Sequence, residues 1–177
     1  RIARGHIQEL KELNTDQFDA LFLPGGFGAA KNLCNFAFEA NNYTVDPEVA
    51  SVIKKFHDEK KPIGATCIAP LLLAKTIPAV SITLGKIGKP DYPFSNAIEA
   101  AKLAGAKIKD YSVKQVCLDK RNKIATTPAY MKNDASPIEV YNGICLLVQS
   151  IKTMIEGNKK KKIKNAKSSS DETSDKE

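Results

Sequence analysis

The stretch FDALFLPGGFGAAKNL, residues 18–33, decides the fold class of this 177-residue chain. Its apolar first part, Phe18 to Leu23, is closed by Pro24-Gly25-Gly26, which is typical of a buried strand that ends in a turn. A second stretch, PIGATCIAP at residues 62–70, has a related pattern: a short strand, then Cys67, then the start of a helix. Two strands that lead into turns and helices indicate an α/β domain.

A helix is predicted between these two stretches. Asp46 can cap it, Pro47 suits its first position and Glu48 favours the positive end of its dipole. It should end near Lys61, because the following proline disfavours helical geometry in the residue before it. Its buried side chains are expected at helical spacing, at Val49, Val52, Ile53 and Phe56.

The last helix has the clearest start signal in the chain. Ser136-Pro137-Ile138-Glu139 is a capping box with proline at the first helical position. Gly157 is expected to end this helix. The apolar face that should pack on the sheet is made of Tyr141, Ile144, Val148, Ile151 and Ile155.

The remaining elements complete the pattern. Residues 80–84 and 112–118 are predicted strands, residues 95–103 a helix, and 124–127 a strand that forms a hairpin with 112–118. Strands that alternate with helices predict a three-layer, Rossmann or flavodoxin-like α/β fold with a mostly parallel sheet.

The formal charge of +7 does not indicate a nucleic-acid-binding protein. From Gly157 onward the chain has seven lysines and four acidic residues, so about three of the surplus charges lie there. Such a segment cannot bury apolar surface, so one domain over 1–157 and a disordered tail over 158–177 are expected. No arginine stripe alternates with aromatic residues, and no apolar run has the roughly 18 residues of a membrane span. Neither nucleic acid nor membrane is an expected partner; a tail contact with RNA or an acidic partner is the alternative.

The four cysteines form no C-x-x-C pair and no metal-binding spacing. The lysine-rich composition favours an intracellular, reducing compartment and four free thiols. No metal and no cofactor are predicted. Cys34, Cys117 and Cys145 are expected to be buried structural residues.

Cys67 occupies the position of a nucleophile elbow, between a strand and a helix. Ligands of open α/β sheets bind beyond the carboxyl ends of the strands, and a nearby helix N-terminus favours a thiolate. A reactive thiol is therefore favoured over a buried apolar cysteine. The GGFG segment at 25–28 matches neither common phosphate-binding template, and fits a loop that stabilises an oxyanion.

Three segments, residues 18–33, 62–70 and KIATTPAYM at 123–131, resemble the ElbB-like branch of the DJ-1/PfpI superfamily, whose members are also described as class I glutamine amidotransferase-like. The likeness runs from Arg1 to Gly157. This branch includes bacterial proteins linked to isoprenoid biosynthesis and mitochondrial relatives in eukaryotes. The resemblance therefore allows a mitochondrial or a cytoplasmic location, and a homodimer, since dimers are common in the superfamily.

The resemblance implies roles for individual residues. Cys67 corresponds to the superfamily's elbow cysteine, and the backbone N–H groups of Gly26 and Ile68 would form an oxyanion hole. The cleft would be lined by Gly25, Phe27 and Tyr130.

Two departures from the superfamily pattern bear on activity. A cysteine hydrolase needs a histidine base, and the chain has only His6 and His57, both before Cys67. Since His57 is expected on a helix surface, glutaminase and peptidase activity are not expected. The superfamily also has two earlier strands and a glutamate that contacts the elbow cysteine, in a segment that would precede Arg1. The sequence is therefore expected to be a fragment, incomplete at its N-terminus, or else a domain completed by another subunit.

The resemblance leaves two functions open. One is a glutathione-independent, glyoxalase-like lyase or hydratase, in which Cys67 adds to a small reactive carbonyl compound. The other is a non-catalytic, redox-responsive or ligand-binding pseudoenzyme, whose exposed thiol is oxidised to a sulfenic or sulfinic acid. A third reading, an interaction protein that uses the lysine run, depends on the tail alone.

Overall fold

The computed structural model describes Gly5 and residues 7–171, with side chains described as far as Lys160; His6 lies outside these residues. The described chain forms six strands: β1 (Leu21–Leu23), β2 (Ile63–Thr66), β3 (Ser81–Ile82), β4 (Lys107–Ile108), β5 (Cys117–Asp119) and β6 (Ile124–Thr127). It also forms five α-helices: α1 (Phe36–Glu39), α2 (Pro47–Asp58), α3 (Pro70–Thr76), α4 (Ser95–Leu103) and α5 (Pro137–Asp171).

The main sheet has four strands in the order β1-β2-β6-β5. β1, β2 and β6 are parallel, with Leu21 opposite Ile63 and Ile63 opposite Ile124. β5 pairs antiparallel with β6, which confirms the predicted hairpin. β3 and β4 form a separate parallel pair, and the sequence pattern did not predict β4. The mostly parallel α/β architecture is as predicted.

Helices cover both faces of the main sheet. On one face, α2 and α3 pack on β2 around the fully buried Ile63 and Ala65. On the other face, α5 packs on β6 and β2 through Leu147 and Ile151, which lie against Ala125. This three-layer arrangement places the carboxyl ends of β1, β2 and β6 at one edge, where Cys67 lies. None of the described helices is both long enough and apolar enough to cross a membrane.

The two predicted helix starts are present in atomic detail. The Asp46 carboxylate accepts hydrogen bonds from the N–H groups of Glu48 (2.9 Å) and Val49 (3.1 Å), so Asp46 caps α2. At α5, the Ser136 N–H donates to Glu139 Oε2 (3.1 Å) and the Glu139 N–H donates to Ser136 Oγ (3.3 Å). This reciprocal pair is a capping box. The four residues predicted to be buried on α2 are all buried.

The predicted buried face of α5 is wrong in its first half. Tyr141, Ile144 and Val148 are exposed by 63%, 36% and 49%, whereas Leu147 is fully buried. Only the C-terminal part of the predicted face, at Ile151 and Ile155, packs as expected.

Gly143 explains this rotation of α5. A Cβ atom at Gly143 would lie 2.4 Å from the Val113 carbonyl oxygen and 3.2 Å from Thr127 Oγ1. Only glycine allows the helix to approach the backbone this closely. The helix therefore turns Gly143 and Leu147 towards the sheet, and leaves the stripe one residue further on exposed.

The predicted end of the last helix at Gly157 is also wrong, because α5 continues to Asp171. The turn beyond Gly157 is held by side chains. Asn158 Nδ2 donates to the Lys60 carbonyl oxygen (2.9 Å), and Lys159 Nζ forms an ion pair with Asp19 at 3.0 Å. Disorder of the tail stays a prediction.

The predicted strand over 112–118 is shortened to β5 at Cys117–Asp119. The preceding backbone bonds to side chains instead of a neighbouring strand. The Val113 N–H donates to the Tyr92 hydroxyl (2.9 Å), and the Gln115 carbonyl oxygen accepts from Thr127 Oγ1 (3.0 Å). These contacts replace the ladder that a strand would need.

Candidate active site

Cys67 directly follows β2 and precedes α3, at the junction that the sequence predicts. Its backbone φ is 57°, in the left-handed region that residues other than glycine seldom adopt. The Cys67 N–H donates to the Thr127 carbonyl oxygen of β6 (3.0 Å), which fixes this conformation to the neighbouring strand. The half-buried side chain lies at the carboxyl edge of the sheet.

The glycine loop after β1 packs directly against this turn. A Cβ atom at Gly25 would lie 2.5 Å from Cys67 Cβ and 2.6 Å from the Thr66 carbonyl oxygen. The Gly25 N–H donates to Thr66 Oγ1 at 3.2 Å. The next residue, Gly26, has a φ of 98°, a conformation that strains any side chain. The two stretches recognised in the sequence therefore form one compact unit.

Two backbone amides in this unit are free to bind a ligand. In the described part of the chain, the N–H groups of Gly26 and Ile68 donate to no protein acceptor. Both residues line the same cavity as Cys67. Unpaired N–H groups beside a thiol can donate hydrogen bonds to a carbonyl oxygen and stabilise the negative charge that develops on it.

The cavity in front of Cys67 has a volume of about 410 Å³. Its lining contains five of the six residues predicted for the site: Cys67, Gly26, Ile68, Phe27 and Tyr130. Gly25 is not among the lining residues and lies behind them, in contact with Cys67. The Phe27 and Tyr130 side chains are 69% and 55% exposed, and they border the opening.

The other walls of the cavity were not predicted. They come from distant segments of the chain: Ala30, Phe36, Ala37, Ala40, Phe94, Asn96 and Met131. Phe36 is fixed by an edge-to-face contact with Tyr43 (ring centroids 5.6 Å apart), whose hydroxyl donates to the Leu71 carbonyl oxygen (2.8 Å). Burial raises the pKa of Tyr43, so its hydroxyl stays a donor. The only local sequence signal for this cavity was the glycine loop, which indicates a cleft but does not indicate which residues form its far wall.

No histidine or carboxylate is among the described residues that line the cavity. His57 Nε2 lies 3.1 Å from Asn122 Oδ1. Asn122 precedes β6 and Cys67 follows β2, and these strands are parallel, so His57 lies at the opposite edge of the sheet from Cys67. Its side chain is 21% exposed, less than the predicted surface position implies, because it packs beside Asn122.

The other three cysteines differ in their surroundings. Cys34 and Cys117 are buried, as predicted, and burial raises the pKa of both thiols, to about 11 for Cys117. Cys145 was predicted to be buried and is exposed, because α5 is rotated by the close approach of Gly143. Cys67 is the only one of the four that lines the cavity.

The chain is similar in sequence to known proteins. The ES1 protein homolog, mitochondrial, of Rattus norvegicus is 43% identical over 155 residues. The human Glutamine amidotransferase-like class 1 domain-containing protein 3, mitochondrial, is 42% identical over 155 residues. Both alignments cover 85% of this chain and 57% of the relative, so the chain spans little more than half the length of these curated relatives.

A solved structure is also similar to this chain. The isoprenoid biosynthesis protein with amidotransferase-like domain from Ehrlichia chaffeensis superposes with a TM-score of 0.72 at 30% identity, over 87% of this chain and 67% of that one. Residues 7–130 match the DJ-1/PfpI family. The prediction from the sequence is thus confirmed, and the chain belongs to the DJ-1/PfpI family.

Proposed function

We propose that this protein acts on small reactive carbonyl compounds, with Cys67 as the nucleophile of a glutathione-independent, glyoxalase-like reaction. The observation that carries this proposal is the meeting of one half-buried thiol and two unpaired backbone amides in a single cavity. A thiol attacks a carbonyl carbon most readily where preorganised N–H groups donate hydrogen bonds to the carbonyl oxygen.

The proposed reaction begins when the Cys67 sulfur bonds to the aldehyde carbon of a 2-oxoaldehyde. The carbonyl electron pair moves to the oxygen, which accepts hydrogen bonds from the Gly26 and Ile68 amides. This oxygen takes up the thiol proton. A base then moves the proton of the former aldehyde carbon to the neighbouring carbon, and the hydroxyl proton passes to the oxygen of that neighbouring carbon, giving a thioester. Water cleaves the thioester, which yields a 2-hydroxy acid and the free thiol. Carbon is oxidised at one position and reduced at the other, so no external oxidant is needed.

The proton transfer needs a base, and no histidine or carboxylate is among the described lining residues. The family resemblance assigns this role to a glutamate. The described lining residues would provide the nucleophile and the oxyanion donors. The mitochondrial relatives also lead us to propose a mitochondrial location.

The test is consumption of methylglyoxal by the chain and by its Cys67→Ala variant, with Cys145→Ala as the matched control. Cys145 is exposed and lies on α5, outside the cavity. We expect Cys67→Ala to abolish any conversion to lactate and Cys145→Ala to leave it unchanged. Conversion that survives in Cys67→Ala would refute the role of this thiol.

A second candidate function, a redox-responsive pseudoenzyme, is favoured by the lack of a histidine or carboxylate among the described lining residues. In that case peroxide would oxidise Cys67 stoichiometrically to a sulfenic or sulfinic acid, and no aldehyde would be consumed. Mass spectrometry of the Cys67 peptide after peroxide treatment, together with the methylglyoxal assay, distinguishes the two functions.

A further inference from the structure

The cavity in front of Cys67 has an uncharged and mostly apolar lining in the described part of the chain. Of the described residues that line it, none carries a charged side chain. The polar side chains are those of Cys67, Asn96 and Tyr130, and the rest of the wall is apolar, with aromatic rings at Phe27, Phe36 and Phe94. Met131, at the end of the short helical turn Ala129–Met131, is 2% exposed and closes the wall beside Tyr130.

Lys31, which follows the lining residue Ala30 in the chain, is held by aromatic rings. Lys31 Nζ lies 5.0 Å from the centroid of the Phe27 ring and 5.6 Å from that of the Phe38 ring. Lys31 is not among the residues that line the cavity. An anionic substituent against the aromatic wall, away from the Gly26 and Ile68 amides, would lose its hydration without gaining a counter-charge, which is unfavourable in an apolar site.

The dimensions also favour a ligand with more than three carbons. A volume of about 410 Å³ lies within the range of roughly 300–1,000 Å³ that is usual for ligand pockets. A three-carbon oxoaldehyde would leave most of the aromatic wall in contact with water. Phe27, Phe94 and Tyr130 are exposed by 69%, 39% and 55%, and such exposed rings around a cavity mark a surface that a ligand covers.

We propose that the cavity selects carbonyl compounds whose substituent is uncharged and apolar, with an aromatic or branched aliphatic group, and excludes anionic ones. The apolar group packs against Phe94, Phe36 and Met131, and the carbonyl faces Cys67 and the Gly26 and Ile68 amides. Asn96 and Tyr130 are left to bind a second oxygen atom. This inference names the substrate class of the site and rests on the proposed function.

The first experiment measures binding without any reaction at sulfur. Benzamide and 4-carboxybenzamide present the same amide carbonyl and differ in the charge of the ring substituent, and neither adds to a thiol. We expect ligand-detected NMR titrations of the chain to give a Kd for benzamide at least tenfold below that for 4-carboxybenzamide. Equal affinity, or tighter binding of 4-carboxybenzamide, would overturn the proposed substrate class.

A variant pair locates this selectivity in the cavity. Phe94→Lys places a cation in the lining and should reverse the preference, so that 4-carboxybenzamide binds more tightly than benzamide. Leu103→Lys is the control, because Leu103 is 66% exposed at the end of α4 and does not line the cavity. Leu103→Lys should keep the benzamide preference, and an unchanged preference in Phe94→Lys would contradict the proposed site.

The second experiment separates this inference from the proposed function. Phenylglyoxal and glyoxylate are an uncharged aromatic and an anionic aldehyde, and each is tested for protection of Cys67 against iodoacetamide. Phenylglyoxal should protect at a concentration at least tenfold lower than glyoxylate. If neither aldehyde protects Cys67 while benzamide is still preferred, nucleophilic addition is refuted and the ligand class stands. If both protect equally, the substrate class is refuted and the addition chemistry stands.

Discussion

At the scale of single residues, Gly25 determines whether the glycine loop after β1 can pack against the turn at Cys67. A methyl group there would lie 2.6 Å from the Thr66 carbonyl oxygen, which is backbone and cannot move aside as a side chain would. Gly28, three residues further on, has a φ of −60°, and a methyl group there would meet only Asn32 Nδ2, at 3.8 Å. The two glycines therefore form a matched pair for mutation.

We predict that Gly25→Ala separates the loop from Cys67 and lowers the free energy of unfolding by about 1–3 kcal/mol, the usual cost of overpacking. The rate of Cys67 alkylation should also change, because the wall of its cavity moves. Gly28 has helical backbone angles and directly precedes the short π-helical segment Ala29–Leu33. Gly28→Ala should therefore leave the alkylation rate unchanged and keep or slightly raise stability, since alanine is a better helix former. Urea denaturation and timed alkylation of both variants check this, and equal behaviour of the two would contradict the close packing at Gly25.

At the scale of elements, the orientation of α5 is the feature that packing decides. Leu147 is fully buried, whereas its neighbour Val148 is 49% exposed. Both residues belong to one continuous helix, so the difference in their burial comes from which face of the helix contacts the sheet.

Truncation of these two side chains should therefore have unequal effects. Leu147→Ala is expected to lower the free energy of unfolding by about 2–5 kcal/mol, because it leaves a cavity against Ala125 and Ile151. Val148→Ala should change it by no more than about 0.5 kcal/mol, as for other surface substitutions. Urea denaturation measures both, and a large loss for Val148→Ala would show that this stripe is covered in solution.

At the scale of the whole molecule, buried thiol and phenol groups make the free energy of unfolding depend on pH in the alkaline range. Burial raises the pKa of Cys117 from 9.0 to about 11, and it also raises the pKa values of Cys34 and Tyr43. Between pH 9 and 11 the unfolded chain releases the Cys117 proton while the folded chain keeps it. The unfolded state is thereby stabilised, so stability falls as pH rises through this window.

We predict that Cys117 alone contributes a loss on the order of 2 kcal/mol between pH 9 and 11, since each pKa unit corresponds to about 1.4 kcal/mol. Cys117→Ala should flatten this part of the stability curve, even though it lowers stability at neutral pH by removing buried atoms. Cys145→Ala, at an exposed position, should keep the wild-type slope. Urea denaturation at several pH values checks the slopes, and an unchanged slope in Cys117→Ala would refute the assignment.

The sequence by itself determined the features that depend on neighbouring residues. Asp46 and Pro47 specify the start of α2, and Ser136 and Glu139 that of α5, because each cap is formed within one helical turn. The turn at Cys67 was likewise readable, since the buried strand Ile63–Thr66 is followed by Cys67 and then by a segment typical of a helix start. The family resemblance of the glycine loop, of this turn and of residues 123–131 also predicted five of the lining residues of the cavity.

The tertiary structure alone decided which face of α5 is buried and what closes the cavity. The face depends on the contact between Gly143 and the Val113 carbonyl, thirty residues apart, and the apolar pattern of α5 offers two stripes that fit equally well. The far wall joins Phe36, Phe94 and Met131 from three separate segments. Local sequence fixes caps and turns because their hydrogen bonds are local, whereas packing between distant segments follows from the shape of the assembled chain.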